Sequence, residues 1–157
     1  MRTIKLLALD FDGVLTDNRV WTDENGVESV ACCRSDGIGI RRCQDAGIRV
    51  VVLSTETNPV VSARCRKLRV SCLQGLADKR KDFLGLIAAY GIKPAEAAFV
   101  GNDINDLGCL AEAGFKVAVA DAWPEVLEVA DYVTVRKGGY GAVREVCDLL
   151  METLCEH

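Results

Sequence analysis

The stretch Ile4-Lys5-Leu6-Leu7-Ala8-Leu9-Asp10-Phe11-Asp12-Gly13-Val14-Leu15-Thr16-Asp17 sets the reading of the whole chain. Its apolar run, Ile4 to Leu9, is that of a buried strand, and it breaks off in two carboxylates and a glycine. Residues two apart on a strand point to the same side, so Asp10 and Asp12 are expected to face one space. Carboxylates crowded at a strand tip repel unless a cation or a shared proton intervenes. A divalent ion with oxygen ligands resolves that conflict, and Gly13 lets the chain turn sharply beyond it. A strand that merely ends in a polar turn would carry the same residues, so this stretch alone leaves both readings open.

Outward from it, two extended segments flank Asn25-Gly26 and predict a β-hairpin over residues 18–32. Its Val20, Trp21, Val27 and Val30 are expected either to rest on the body of the domain or to meet another subunit. Ser35-Asp36-Gly37 leads into a helix stopped by Gly47. The apolar run Ile48 to Leu53 is a strand ending in Ser54-Thr55-Glu56, and Asn58-Pro59 opens a helix to about Leu68. A short strand, Val70 to Leu73, precedes an amphipathic helix over 78–90 with Phe83, Leu84, Leu86 and Ile87 inward. Ala97 to Val100 is a further buried strand, ending in Gly101-Asn102-Asp103-Ile104-Asn105-Asp106. Strands at 116–119 and 132–135 and helices to about 113, over 124–129 and from 142 to about 154 complete the chain.

Apolar strands alternating with helices predict an α/β fold, a parallel sheet covered on both faces in three layers. In such sheets ligands bind beyond the carboxyl ends of the strands. The strands ending at Leu9, Leu53 and Val100 all run into polar clusters, and parallel pairing puts those ends on one edge.

Composition narrows the chemistry. A chain of 157 residues, half of them apolar, can bury a core as one domain over 1–157. No run is long enough to span a bilayer, and no leader precedes the first strand. A net charge of −4 without a basic stripe argues against nucleic acid as a partner. The eight cysteines form no C-x-x-C and the lone histidine is His157, so zinc is not expected. Cysteines in apolar stretches fit reduced thiols in a cytoplasmic protein.

The strand-end clusters and the helix start together supply Asp10, Asp12, Ser54, Lys79, Asn102, Asp103 and Asp106. Without a histidine base there is no acyl-transfer triad, and no Gly-x-Gly-x-x-Gly follows the first strand. Phosphoryl transfer through a carboxylate nucleophile suits this inventory. Lys79 stands at a helix start, where the helix dipole disfavours a merely solvated cation. Asp106 is placed either at the metal or in a supporting hydrogen bond. Glu56, Arg64 and Lys67 are read either as surface charges or as substrate contacts, and Gly138-Gly139 as a turn approaching a ligand or neighbour, or as a plain turn.

The run Asp10-Phe11-Asp12-Gly13-Val14-Leu15-Thr16-Asp17 resembles the first motif of the haloacid dehalogenase (HAD) superfamily of phosphatases. Ser54 is similar to the second, Lys79 to the third, and Gly101-Asn102-Asp103-Ile104-Asn105-Asp106 to the fourth. Further stretches, Arg34 to Ile40, Val117 to Ala122 and Gly138 to Glu145, resemble the capless branch acting on 3-deoxy-ulosonate phosphates. That branch includes 3-deoxy-D-manno-octulosonate 8-phosphate (KDO 8-phosphate) phosphatases, KDN 9-phosphate phosphatases and the phosphatase-like domain of acylneuraminate cytidylyltransferases.

The resemblance implies a Rossmann-like HAD fold with no cap domain. It implies Asp10 as nucleophile, Asp12 as general acid and base, and Ser54 and Lys79 as holders of the phosphoryl group. Magnesium would be held by Asp10, the Asp12 carbonyl and the fourth motif through Asn102 or Asp103, with Asp106 in support. Substrate, a phosphorylated sugar acid, would meet Ser54, Thr55, Glu56, Lys79 and Arg64. The relatives imply a homotetramer in which the hairpin and tail of a neighbour cover the site. Two departures stand out. Many relatives carry aspartate at Asn102, and the missing charge is expected to lower metal affinity unless Asp103 compensates. The turn after Ser54 reads Thr-Gly-Arg in the octulosonate enzymes; Glu56 in place of a cation disfavours an anionic group there and leans towards a nine-carbon substrate or the cytidylyltransferase-associated branch. The rival reading is a non-catalytic oligomerisation module, against which Asp10, Asp12 and Lys79 are all present.

Overall fold

The computed structural model describes residues 3–155, among which eight short strands and six α-helices follow one another; His157 lies outside them. The strands are β1 (Leu6–Leu9), β2 (Trp21–Thr22), β3 (Glu28–Ser29), β4 (Arg49–Leu53), β5 (Ser71–Leu73), β6 (Ala97–Gly101), β7 (Phe115–Ala118) and β8 (Tyr132–Val133). The helices are α1 (Arg34–Asp45), α2 (Pro59–Leu68), α3 (Lys79–Ala89), α4 (Leu107–Glu112), α5 (Pro124–Val129) and α6 (Ala142–Cys155). Six strands form one parallel sheet in the order β5-β4-β1-β6-β7-β8. The expected three-layer α/β architecture is therefore present, and the chain passes from β1 to α1 through the hairpin alone, with no cap domain.

The order explains where a site can form. From β1 the chain moves outward to β4 and β5; it then crosses back and moves the other way through β6, β7 and β8. With right-handed crossovers, α1 and α2 cover one face and α3, α4 and α5 the other, while α6 packs along α1. The direction reverses between β1 and β6, and a crevice opens at such a switch point beyond the strand ends. Both strands flanking it are wholly buried, as continuous apolar runs with a helix layer on each face must be. Phe83 of α3 meets Phe99 of β6 edge-on, with ring centroids 5.5 Å apart, a contact worth about 1 kcal/mol beyond its area. Leu86 packs beside them, whereas Leu84 stays half-exposed.

The strand signals overran the ladders by a residue or two: β1 begins at Leu6 rather than Ile4, and β8 stops at Val133. The hairpin differs more. Its ladder is two residues long on each side, and Asp23 Oδ1 closes the turn by accepting from the Asn25 and Val27 amides at 2.9 Å each. Val30 rests on the core, but Val20, Trp21 and Val27 are 49, 75 and 64% exposed. A bridge between Thr16 and Cys32 closes the base of this excursion.

Candidate active site

Register places the first acid. Leu9 pairs with Val52 of β4 on one side and Val100 of β6 on the other. One step further, Asp10 stands level with the ends of both strands, and its amide donates to Val100 O at 3.0 Å. Beyond it the chain winds into a tight loop in which the amides of Val14, Leu15 and Thr16 all donate to Phe11 O. Thr16, wholly buried, accepts from the Gly13 and Asn18 amides at 3.1 Å each and pins the loop. Gly13 has φ +86°, and a Cβ there would lie 2.0 Å from Asn102 Nδ2, so only glycine admits that side chain. The Gly138-Gly139 turn presses on the loop from outside: a Cβ on Gly138 would fall 1.7 Å from Gly13 O. Asp121 fixes this turn by accepting from the Gly138 amide at 3.0 Å. Of the alternatives open in the sequence, the turn is a buttress of the acidic loop.

Lys79 reaches the floor from the first turn of α3. Asp78 caps that helix by accepting from the Lys81 amide and leaves Lys79 aimed inward, 3% exposed. Its ammonium donates to Asp10 Oδ1 at 2.6 Å and to Asp106 Oδ1 at 2.8 Å. Two carboxylates thus offset the unfavourable helix dipole. Burial draws the lysine down, but Asp10 and Asp106 outweigh it and the ammonium is held above its usual range. Burial, with Asp106 adding to it, raises the Asp10 carboxyl to about 7 despite Lys79. Asp106 also accepts from the Asn102 and Asp103 amides at 2.9 and 3.4 Å through Oδ2. It ties the lysine to the loop after β6 through these hydrogen bonds.

The two candidates in that loop separate. Asp103 is half-buried and turns back on its own chain, its Oδ1 accepting from the Ile104 amide at 2.7 Å as a cap of the short turn 104–106. Asn102 is buried, and its amide end lies 2.9 Å from Asp10 Oδ2 and 3.1 Å from Asp12 O. With nitrogen turned that way Asn102 donates two hydrogen bonds. With oxygen turned that way three oxygens converge, which is unfavourable unless a cation lies among them. Among the described residues no three His, Cys, Asp or Glu side chains form a cage; this donor set is mixed, one carboxylate, one amide and one main-chain carbonyl. Such hard oxygens fit magnesium, which binds through few protein ligands and keeps waters.

The second wall follows β4. Ser54 is buried at the strand end, its amide held by Leu73 O at 2.9 Å and its Oγ accepting from the Glu56 amide at 3.1 Å. Glu56 closes the turn through Oε1, which accepts from the Thr57 and Asn58 amides, while Thr55 is exposed. Asp12 is half-buried; burial, then the nearby Glu56 charge, raise its carboxyl, with Lys79 opposing and Glu28 of β3 adding. Asp10, Asp12, Ser54, Lys79, Asn102 and Asp106 are thus brought together. Arg64 turns to the segment after the hairpin, where its Nη2 donates to Cys33 O at 3.4 Å, and Lys67 is exposed on α2. Thr16 and Asp121 were missed; their signal, a hydroxyl or carboxylate near the ends of β1 and β7, is too common to act on alone.

The chain's residues 70–145 match the model of the haloacid dehalogenase-like hydrolases. It is 42% identical over 149 residues to the 3-deoxy-D-manno-octulosonate 8-phosphate phosphatase KdsC of Escherichia coli K12, covering 94% of this chain and 79% of that protein. The 3-deoxy-D-manno-octulosonate 8-phosphate phosphatase of Moraxella catarrhalis, crystallised with magnesium, phosphate and KDO, superposes with a TM-score of 0.92 at 34% identity, over 96% of this chain and 87% of that one. A cobalt-bound phosphatase of the same name from Haemophilus influenzae gives 0.91 at 34% identity, over 96 and 88%. Its fold, the motifs gathered at its switch point and these similarities together make this chain a member of the haloacid dehalogenase-like hydrolases, in the capless group of the KDO 8-phosphate phosphatases, which are phosphoric monoester hydrolases.

Proposed function

We propose that the protein is a magnesium-dependent phosphatase that hydrolyses a 3-deoxy-ulosonate phosphate, KDO 8-phosphate or KDN 9-phosphate, through an aspartyl-phosphate on Asp10. The observation that carries this reading is the buried Asp10–Lys79–Asp106 array beside the Asn102 amide and the Asp12 carbonyl. Asp10 attacks phosphorus as the bond from phosphorus to the sugar oxygen breaks, and Asp12 gives that oxygen its proton. A carboxyl raised by burial and by Glu56 suits a group that must first hold a proton. Asp12 then takes a proton from the water that attacks phosphorus, and the bond to Asp10 breaks to release phosphate. Ser54 and Lys79 hold the phosphoryl oxygens. Magnesium would be held by Asp10, the Asp12 carbonyl and Asn102, and would supply positive charge against the phosphate oxygens.

The acidic wall bears on the substrate. The charges of Glu56 and Glu28 both act on Asp12, so a hydroxyl-rich end fits there better than an anionic one, which favours the nine-carbon acid. The same reading makes the protein a homotetramer, supported by the exposed Val20, Trp21 and Val27. It also places it in the cytoplasm, supported by eight free cysteines. The test is phosphate release with magnesium from both sugar-acid phosphates, with Asp10→Asn alongside. Turnover of one of them, lost by about 10⁴-fold or more in the variant, is expected. No release from either by an assembled protein would leave the oligomerisation module as the better reading.

A further inference from the structure

At the sheet edge opposite the carboxylates, a cavity of about 350 Å³ opens between the starts of β4 and β5 and the end of α3. We infer that it is a binding site for a small oxyanion of the phosphate class. The only charged side chains lining it are Arg49 and Arg69. Neither is ion-paired with a carboxylate among the described residues. Both are exposed to solvent, and an oxyanion seated between two guanidiniums gains charge-assisted hydrogen bonds from both.

Arg49 is held through its side chain and Arg69 through its backbone. The Arg49 guanidinium lies over the Tyr90 ring, 4.5 Å from its centre. Stacking uses the flat face of that group and not the N–H edge with which it grips an oxyanion. Arg69 ends α2 in the left-handed conformation, φ 56° and ψ 44°. Helices commonly stop in this way, but with glycine. Asn18, the one other non-glycine with positive φ among the described residues, is of a type that tolerates it. Nothing in the helix stop calls for a guanidinium, and strain retained at one position points to function. Gln44 steadies the turn, its Nε2 donating to Arg69 O at 3.0 Å. Ser71 also lines the cavity. The lining draws its polar residues from α1, β4, the end of α2 and β5, and donors offered from separate elements suit a tetrahedral anion better than a flat one. The site is separate from the carboxylate floor, because the five residues of β4 span about 16 Å, and it stands whether or not the phosphatase reading does.

The experiment is a titration of the ¹⁵N-labelled full chain with inorganic phosphate, read at backbone amides. Saturable shifts are expected at Gln44, Arg49, Arg69 and Ser71, weakened about tenfold or more in Arg49→Ala and in Arg69→Gly. Arg69→Gly should melt at the same temperature or a few degrees higher, since glycine removes the strain, so lost binding there is not lost folding. Phosphate release should be unchanged in both variants. Shifts confined to residues 10–13, 54–56 and 101–106 would overturn the site, as would pocket shifts that persist in both variants.

Discussion

Two adjacent stretches leave the same strand and meet opposite fates. In residues 10–17, Phe11, Val14, Leu15 and Thr16 are wholly buried and Asp10 is 5% exposed. In the hairpin that follows, Trp21 is 75% and Val27 64% exposed. The first stretch is finished by its own chain: Lys79 answers Asp10, Asn102 fits against Gly13, and Gly138 seals the outside. The second leaves apolar surface unclaimed. Covering Trp21 alone would gain on the order of 3 kcal/mol. The difference teaches that the candidate reacting groups are organised within one chain, whereas in the homotetramer proposed above the cover of the site is left to the assembly.

Breaking the floor should cost most. Lys79→Met leaves Asp10 and Asp106 facing each other, buried and uncompensated. We expect phosphate release to fall by about 10³-fold or more and stability by about 3–5 kcal/mol, read by urea unfolding. Retention of both would mean that the array is not what holds the floor. A sharper contrast comes from two glycines with similar backbones. At Gly13 a Cβ collides with Asn102, whereas at Gly26, φ +77° on the hairpin, nothing lies within 4 Å. Gly13→Ala should lower kcat/KM about 100-fold by displacing Asn102. Gly26→Ala should cost only about 1 kcal/mol of backbone strain and leave turnover within about twofold. Equal losses would erase the distinction between the two stretches.

The floor was legible because its signals are local. An apolar run stopping at Asp10, another at Ser54 and a third at Asn102 need only parallel pairing to meet. The order of β1 and β6 about the switch point then does the rest. What the sequence left open depended on contacts across it. Asn102 and Asp103 are neighbours with similar side chains; only the loop geometry turns one to Asp10 and spends the other on the Ile104 amide. The bond that Lys79 donates to Asp106 joins residues on different helical turns, and Gly138 meets Gly13 from the far end of the chain. Arg64, read either as a surface charge or as a substrate contact, donates to Cys33 O, a direction the sequence left open because a long side chain on a helix has several available to it.

The hairpin side of the comparison is tested by Trp21→Ser. Because Trp21 is 75% exposed in its own chain, unfolding of the isolated chain should shift by no more than about 0.5 kcal/mol. Light scattering should nevertheless report a smaller assembly than the proposed tetramer. An unchanged tetramer would remove the hairpin as its seam.

The smallest effect concerns Asp36, which sits where the hairpin re-enters the body at the start of α1. It is fully buried, like Asp10, but among the described residues it has no ion pair: Oδ1 accepts from the Arg144 amide at 2.9 Å and Oδ2 has no partner. Burial raises its carboxyl to about 6, against the Arg144 amide and the more distant Arg64, which favour the charge. Between the unfolded value near 4 and the folded value near 6, the native protein holds a proton that the unfolded chain has lost. Stability therefore falls as pH rises through that window, and the loss persists above it. Asn at this position keeps an acceptor for Arg144 and cannot ionise. Asp36→Asn should be more stable than the parent by on the order of 2–3 kcal/mol at pH 7.5, converging with it below about pH 4, as urea unfolding at several pH values will show. The sign decides where Asp36 belongs. A gain makes it a buried charge that its surroundings do not answer, like the uncovered hairpin beside it. A loss would mean that Arg64 answers it as Lys79 answers Asp10, and the organised floor would then extend past the hairpin into α1.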